Sequence, residues 1–165
     1  MIPKISKIAE LKENTSTAVI FDNISQFSFA GFSDAEKKYV TQKLEKNNDC
    51  IVSKYPSVYF FFKPKNEKEN YIEIESARKA GSKLFDALRN EKTETIQIID
   101  FSALELGLAF VEGLLLSCYS FDKYKKEKED FKIKELIVAG SNITDIKFEE
   151  VRNLTEAVFH ARTLV

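Results

Sequence analysis

Between Thr95 and Tyr119 the sequence reads TIQIIDFSALELGLAFVEGLLLSCY, a β-branched segment followed at once by one that is apolar at almost every position. A helix that is apolar on most of its circumference has to be buried on both flanks. A strand feeding directly into such a helix is a βα unit, and it constrains the chain to a layered α/β arrangement. Ser102 stands three residues before Glu105, with Phe101 and Leu106 at the flanking positions. This spacing predicts a capping box and a hydrophobic staple at the start of a helix running to about Tyr119.

The rest of the chain repeats the alternation. Thr17–Phe21 (TAVIF) and Ser57–Lys63 (SVYFFFK) read as strands, the second closed by Pro64. Ser25–Phe32 alternates and suggests a further short strand. Ser33 and Glu36 have capping-box spacing for a helix to about Asn47, and Asn47–Asp49 reads as a turn. After a charged loop over Lys65–Asn70, Ile74, Ala77, Gly81, Leu84, Phe85 and Leu88 recur at helical spacing through Asn90. Ile133–Ala139 is a strand closed by Gly140. A final helix from about Asp145 is expected to present Val151, Leu154, Val158, Ala161 and Val165 on one face. The pattern predicts an α/β fold, three layers in αβα order around a mostly parallel or mixed sheet. The early strands, with no helix between them, are expected to supply an antiparallel edge.

Composition excludes several functions. Lys and Arg number 25 and Asp and Glu 26, a net charge of -1 that gives no bulk attraction to nucleic acid or an acidic membrane. The run Lys123–Asp130 interleaves lysines with Glu127, Glu129 and Asp130, as a solvated loop does. No apolar run reaches the ~20 residues needed to span a bilayer, and MIPKISKIAELKEN holds no signal-peptide core. Cys50 and Cys118 are far apart, which favours a reducing, cytoplasmic setting, and Cys118 reads as a small buried hydrophobe. With 14 Phe and no Trp, phenylalanine supplies the aromatic packing.

The chemistry-bearing residues are sparse. His160 is the lone histidine, and a zinc site needs three or four convergent ligands. Asp100 ends a strand before a helix, where α/β domains often place function, but it reads more simply as a turn residue beside a helix N-terminus. Gly31, Gly81, Gly107, Gly113 and Gly140 are isolated, so no phosphate cradle is formed. Gly81, Gly107 and Gly113 fall within expected helices and point to close packing. No catalytic, cofactor-binding or metal-binding residue is assigned.

Two stretches say more. Glu112–Ser117 (EGLLLS), followed by Tyr119 and by Phe121-Asp122-Lys123-Tyr124-Lys125, resembles the amino-terminal domain of the leucine (cytosol) aminopeptidase family. Ala161-Arg162-Thr163-Leu164-Val165 resembles that family's A-R-x-L-V segment, and Ala77-Arg78-Lys79-Ala80-Gly81 is a weaker match. The resemblance covers about residues 57–165.

The resemblance implies a macro-domain-like αβα fold, residues 1–165 as a single amino-terminal domain, and a cytoplasmic, hexameric metallo-aminopeptidase as the parent. The two divalent metals, zinc or manganese, and the catalytic residues would lie in a carboxy-terminal domain after Val165. The apolar stripe that reaches Val165 without a polar cap leads to the same expectation. Phe121, Asp122, Tyr124 and Lys125 would be structural. A free-standing macro-like module binding an ADP-ribose-type ligand is the alternative, against which the isolated glycines argue. A DNA-contacting role, known for some bacterial members, is opposed by the neutral charge balance.

Overall fold

The computed structural model describes residues 3–8, 10–120, 131–139 and 145–164. Its strands are β1 (Lys4–Ile8), β2 (Ser16–Ile20), β3 (Asp49–Lys54), β4 (Ser57–Phe62), β5 (Thr95–Asp100) and β6 (Glu135–Ala139). Its α-helices are α1 (Asp34–Lys46), α2 (Asn70–Asn90), α3 (Gly107–Ser117) and α4 (Asp145–Leu164). The strands form one sheet in the order β1-β6-β5-β2-β4-β3. Every pairing is parallel except β3 with β4. The antiparallel edge is therefore β3, which follows α1, and not the early strands. β1 forms the opposite edge and runs parallel to β6.

The apolar strands are buried on both sides, so their alternation is hidden in the sequence and visible only in the packing. Ala18, Ile20, Phe60, Phe62, Ile96, Ile98, Leu136 and Val138 face one core, filled from α2, α3 and the Phe148 and Val151 side of α4. Val19, Phe21, Phe61 and Cys50 face a second core under Val40 and Leu44 of α1. Helices thus cover both faces, as the αβα reading requires. Phe61 is the hub of the second core, with the Phe29 ring stacked at 5.4 Å and the Phe27 and Phe32 rings edge-on at 5.7 and 5.9 Å.

That hub explains why Ser25–Phe32 is not a strand. Asn23 caps a single 3-10 turn over Ile24–Gln26 with a complete capping box. Phe27, Phe29 and Phe32 then all turn to the same core, where an extended strand would send alternate residues to opposite sides. The box at Ser33 is formed as the spacing predicts: Glu36 N–H donates to Ser33 Oγ at 3.3 Å, and Ser33 N–H donates to Glu36 Oε2 at 2.7 Å.

Helices α2 and α3 cross with their backbones in contact. A Cβ on Gly81 would lie 2.1 Å from the Phe110 carbonyl oxygen, and one on Gly113 would lie 2.0 Å from that of Arg78. Both helical glycines are therefore packing residues. In α4 the buried positions are Thr155 and Phe159, with Phe148, Val151 and Val158 half-buried beside them. The predicted stripe is partly wrong: Leu154 and Ala161 face outward, and Val165 lies outside the described residues. The Phe121–Lys125 motif, the Lys123–Asp130 run and Gly140 also lie outside them.

Candidate functional site

In an open parallel sheet, ligands bind beyond the carboxyl ends of adjacent strands whose onward connections leave toward opposite faces. Here those strands are β2 and β5. The chain leaves β2 toward α1 on one face and leaves β5 toward α3 on the other. Asp22 and Asp100 stand at the two strand ends, so this crevice is the place to look for function.

The protein fills the crevice with its own loop, residues 101–106. Asp100 Oδ2 accepts the Gly107 N–H at 2.5 Å, and Oδ1 accepts the Ser102 N–H at 2.8 Å and the Ser102 hydroxyl at 2.6 Å. Asp22 Oδ2 accepts the Ala103 N–H at 2.8 Å from across the crevice. Gln26 Nε2 donates to the Phe101 carbonyl at 3.2 Å. The first N–H of α3, one of the groups that would hold an anion, is thus taken by Asp100, and the loop N–H groups of Ser102 and Ala103 are held by Asp100 and Asp22. Burial pushes the Asp100 carboxyl above its ordinary range; neighbouring Asp22 adds to this, and the bonds from Ser102 and Gly107 oppose it.

Asp100 is therefore more than a turn residue: it takes the role assigned by spacing to Ser102. The predicted box at Ser102 and Glu105 does not form, because α3 starts at Gly107, five residues later. Ser102 Oγ accepts the Leu106 N–H at 3.1 Å, while Glu105, at φ 50°, turns outward to Lys147 at 2.9 Å. The staple is absent too, since Phe101 packs into the second core and Leu106 into the first.

The other sequence candidates are dispersed. His160 is exposed on α4. Cys118 is half-buried against the first core, its Sγ donating to the Leu114 carbonyl at 3.3 Å, and burial pushes its thiol up to about 12. Cys50 is buried and its thiol is pushed up to about 11 by the same cause, so neither is an activated nucleophile. Among the described residues no group of three or more His, Cys, Asp or Glu is placed to hold a metal ion.

Sequence reasoning passed over Gln97, the one polar residue inside TIQIID. It is 2% exposed, and its amide clasps the chain that crosses from β1 to β2. The Lys12 N–H donates to Gln97 Oε1 at 2.8 Å, and Nε2 donates to the Lys12 carbonyl and to Thr17 Oγ1, both at 2.9 Å. Between this strap and the aromatic turn lies a cleft of about 520 Å³ floored by Thr17, Tyr59 and Gln97. The interruption of an apolar strand by an amide was the available signal.

Those residues of the family resemblance that are described meet in the helix layer, while Phe121–Lys125 lie outside the described residues. Arg78 Nε donates to Glu112 Oε2 at 2.8 Å beside the Gly81 and Gly113 contacts, and the Ser82 and Ser117 hydroxyls bond at 2.9 Å. Tyr119 packs edge-on against Phe159 at 5.1 Å and lies 5.5 Å under the Arg162 guanidinium. ARKAG, EGLLLS and ARTL are thus joined as one packing unit.

Comparison with known proteins agrees. Residues 65–128 match the profile of the N-terminal domain of the cytosol aminopeptidase family. A probable cytosol aminopeptidase of Aquifex aeolicus (strain VF5) is 30% identical over 146 residues, covering 82% of this chain and 29% of that protein. One from Clostridium perfringens (strain 13 / Type A) is 32% identical over 102 residues, 59% of this chain and 20% of its own length. The chain thus spans less than a third of the curated relatives it matches. Among solved structures, a tomato leucine aminopeptidase mutant aligns at TM-score 0.63 and 11% identity over 97% of this chain and 37% of its own. The bottromycin maturation enzyme BotP in complex with Mn aligns at TM-score 0.59 and 15% identity over 93% and 32%. These two likenesses concern the fold alone. No helix among the described residues is long and apolar enough to cross a membrane.

Proposed function

We propose that this chain, which carries the N-terminal domain of the cytosol aminopeptidase family, is the non-catalytic amino-terminal part of a metal-dependent, leucyl-type aminopeptidase. The observation that carries the proposal is how its distinctive residues are used. Among the described residues, the family-like segments ARKAG, EGLLLS and ARTL are spent on packing α2, α3 and α4, and the crevice at the ends of β2 and β5 is closed by the chain's own carboxylates and loop.

In this reading residues 1–165 form one domain of a longer, cytoplasmic polypeptide that assembles as a hexamer. The domain contributes to assembly and to shielding the catalytic chamber. Two divalent ions, zinc or manganese, belong to the catalytic domain. There they would polarise the peptide carbonyl and activate a water. The described residues of this chain offer no ligand set for them. The outward face of α4 supports docking onto the remainder of the polypeptide. Ile146, Leu154 and Leu164 on it are 74%, 49% and 88% exposed, opposite the buried Thr155 and Phe159. The closed crevice counts against a free-standing macro-like module.

The test compares this 165-residue chain with the full gene product on leucine p-nitroanilide. Turnover that requires zinc or manganese is expected from the full product, with none from this chain. Turnover by this chain alone, or a gene that encodes no further domain, overturns the reading.

A further inference from the structure

The two edges of the sheet are guarded differently. β1 (KISKI) carries Lys4 and Lys7, the kind of cation that keeps an edge from pairing. β3 (DCIVSK) has one charge at each end, and both are turned back into the fold. Asp49 Oδ2 accepts from Lys83 Nζ at 2.5 Å, while Lys54 Nζ donates to the Gly31 carbonyl at 2.6 Å and to Glu36 Oε2 at 3.1 Å. Between them Ile51 is 41% exposed. The register with β4 fixes which backbone groups look outward. The Lys63 N–H donates to the Asn48 carbonyl at 2.8 Å, and Cys50, Val52 and Lys54 follow at the two-residue period of an antiparallel ladder. The N–H and C=O groups of Asp49, Ile51 and Ser53 therefore point away from β4. Among the described residues no other strand lies beside them, and the Cys50 thiol reaches the Ile51 carbonyl only at 3.9 Å.

We infer that β3 is a pairing edge for a second copy of this chain, joined antiparallel about Ile51 so that the two sheets become one. This register pairs all three outward-facing residues, Ile51 with Ile51 and Asp49 with Ser53 on either side, and each pair exchanges both of its hydrogen bonds. A slip in one direction leaves Ser53 opposite no strand residue, and a slip in the other leaves Asp49 so. A further slip sets Asp49 against Asp49, like charge on like. The same register carries charge complementarity. Asp49, Ile51 and Ser53 stand cross-strand from Phe62, Phe60 and Val58, on the α2 side of the sheet. There Lys83 holds Asp49, and the Ser53 hydroxyl donates to Glu91 at 2.9 Å. Asp49 opposite Ser53 brings Lys83 of each copy toward Glu91 of the other, once on each side of the two-fold axis. Ile51 meets Ile51 and loses its exposure. A strand of unrelated sequence can take the backbone bonds but leaves Lys83 and Glu91 unmatched. The interface adds to the assembly proposed above without resting on it, and a monomeric chain leaves the aminopeptidase reading standing.

The test is sedimentation equilibrium of the 165-residue chain over about 1–500 µM, with amide hydrogen exchange measured at both ends of that range. The mass should rise with concentration from that of one chain toward that of two. At the high end the amides of Asp49, Ile51 and Ser53 should exchange at least about threefold more slowly, and those of Cys50 and Val52, already bonded to β4, should change less. Ile51→Pro removes only an N–H that points away from β4, as an edge strand tolerates, and should weaken dimerisation at least about tenfold. Ile51→Lys sets two like charges together at the two-fold axis and gives the same test if Ile51→Pro does not fold. The proposal is overturned by a single-chain mass at every concentration or by dimerisation that these variants leave unchanged. A dimer whose new protection falls on Lys4–Ile8 or on α4 instead of β3 also overturns it.

Discussion

Asp100 and Gly107 are matched to one another: the carboxylate caps the first N–H of α3 at 2.5 Å, and a Cβ on Gly107 would sit 2.9 Å from that same oxygen. The glycine is there because the aspartate is. Gly107→Ala should lower stability by about 1–3 kcal/mol, as overpacking at a buried contact does. Urea unfolding of the two proteins reads this as a shift in midpoint, and an unchanged midpoint would mean that Asp100 can swing aside freely.

The same carboxylate should give stability a pH signature. Its folded-state pKa lies above that of the unfolded chain, about 3.9, because burial disfavours the charge. The native state keeps its proton where the unfolded state has already released it. The Asp100 contribution is therefore greatest below the unfolded-state value and is lost as pH rises through the folded-state value. Asp100→Asn should flatten that fall while lowering stability throughout, since an amide nitrogen cannot accept from Gly107 or Ser102. Thermal melts between about pH 3 and 7 on both proteins would show the difference in slope.

At the α2–α3 crossing, Gly113→Ala is expected to be the most damaging single methyl in the chain, costing about 3 kcal/mol. The atom it meets is the backbone carbonyl of Arg78, which cannot rotate away as a side chain can. Denaturant melts and near-ultraviolet circular dichroism would report it. A loss below about 1 kcal/mol would show that the helices separate cheaply.

The two serines with box spacing should separate by mechanism. Ser33→Ala removes a true N-cap and should cost about 1 kcal/mol. Glu36→Gln should remove part of the stability gained above the ordinary carboxylate pKa, because bonds from the Ser33 N–H and Lys54 hold the Glu36 carboxyl low. Ser102→Ala should also cost about 1 kcal/mol, through the buried Leu106 N–H it leaves unpaired. The two cases differ on adding Asp100→Asn: the Ser102 effect should shrink and the Ser33 effect should stay constant. Equal changes in both would contradict the Asp100–Ser102 coupling.

Much of the architecture was legible because each apolar strand and each capped helix carries a local signal. The strand expected over Ser57–Lys63 is observed over Ser57–Phe62, and Thr95–Asp100 and the Ser33 cap lie where they were expected. What failed depends on partners distant in sequence. β1 (KISKI) has little pattern of its own and is a strand because β6 lies beside it. β3 was hidden because DCIVSK is half-exposed on an edge. Ser25–Phe32 has strand-like alternation, yet Phe61 collects its aromatics on one side. The crevice was half legible: Asp100 stood out by position, but its role required Asp22 and Gly107, which only the fold brings to it.

The place of β1 also sets an order of events. Among the described residues it precedes every other strand, yet Lys4–Ile8 pair there only with Glu135–Ala139, the last described strand of the sheet. Until β6 emerges, the first residues have no ladder to join and remain a free arm, while β2, β4 and β5 can already assemble with α1, α2 and α3. Pairing so distant in sequence is slow to close. A chain paused before β6 during synthesis would thus carry a nearly finished core and an unsealed edge at β5, where a second nascent copy could pair in place of its own strand.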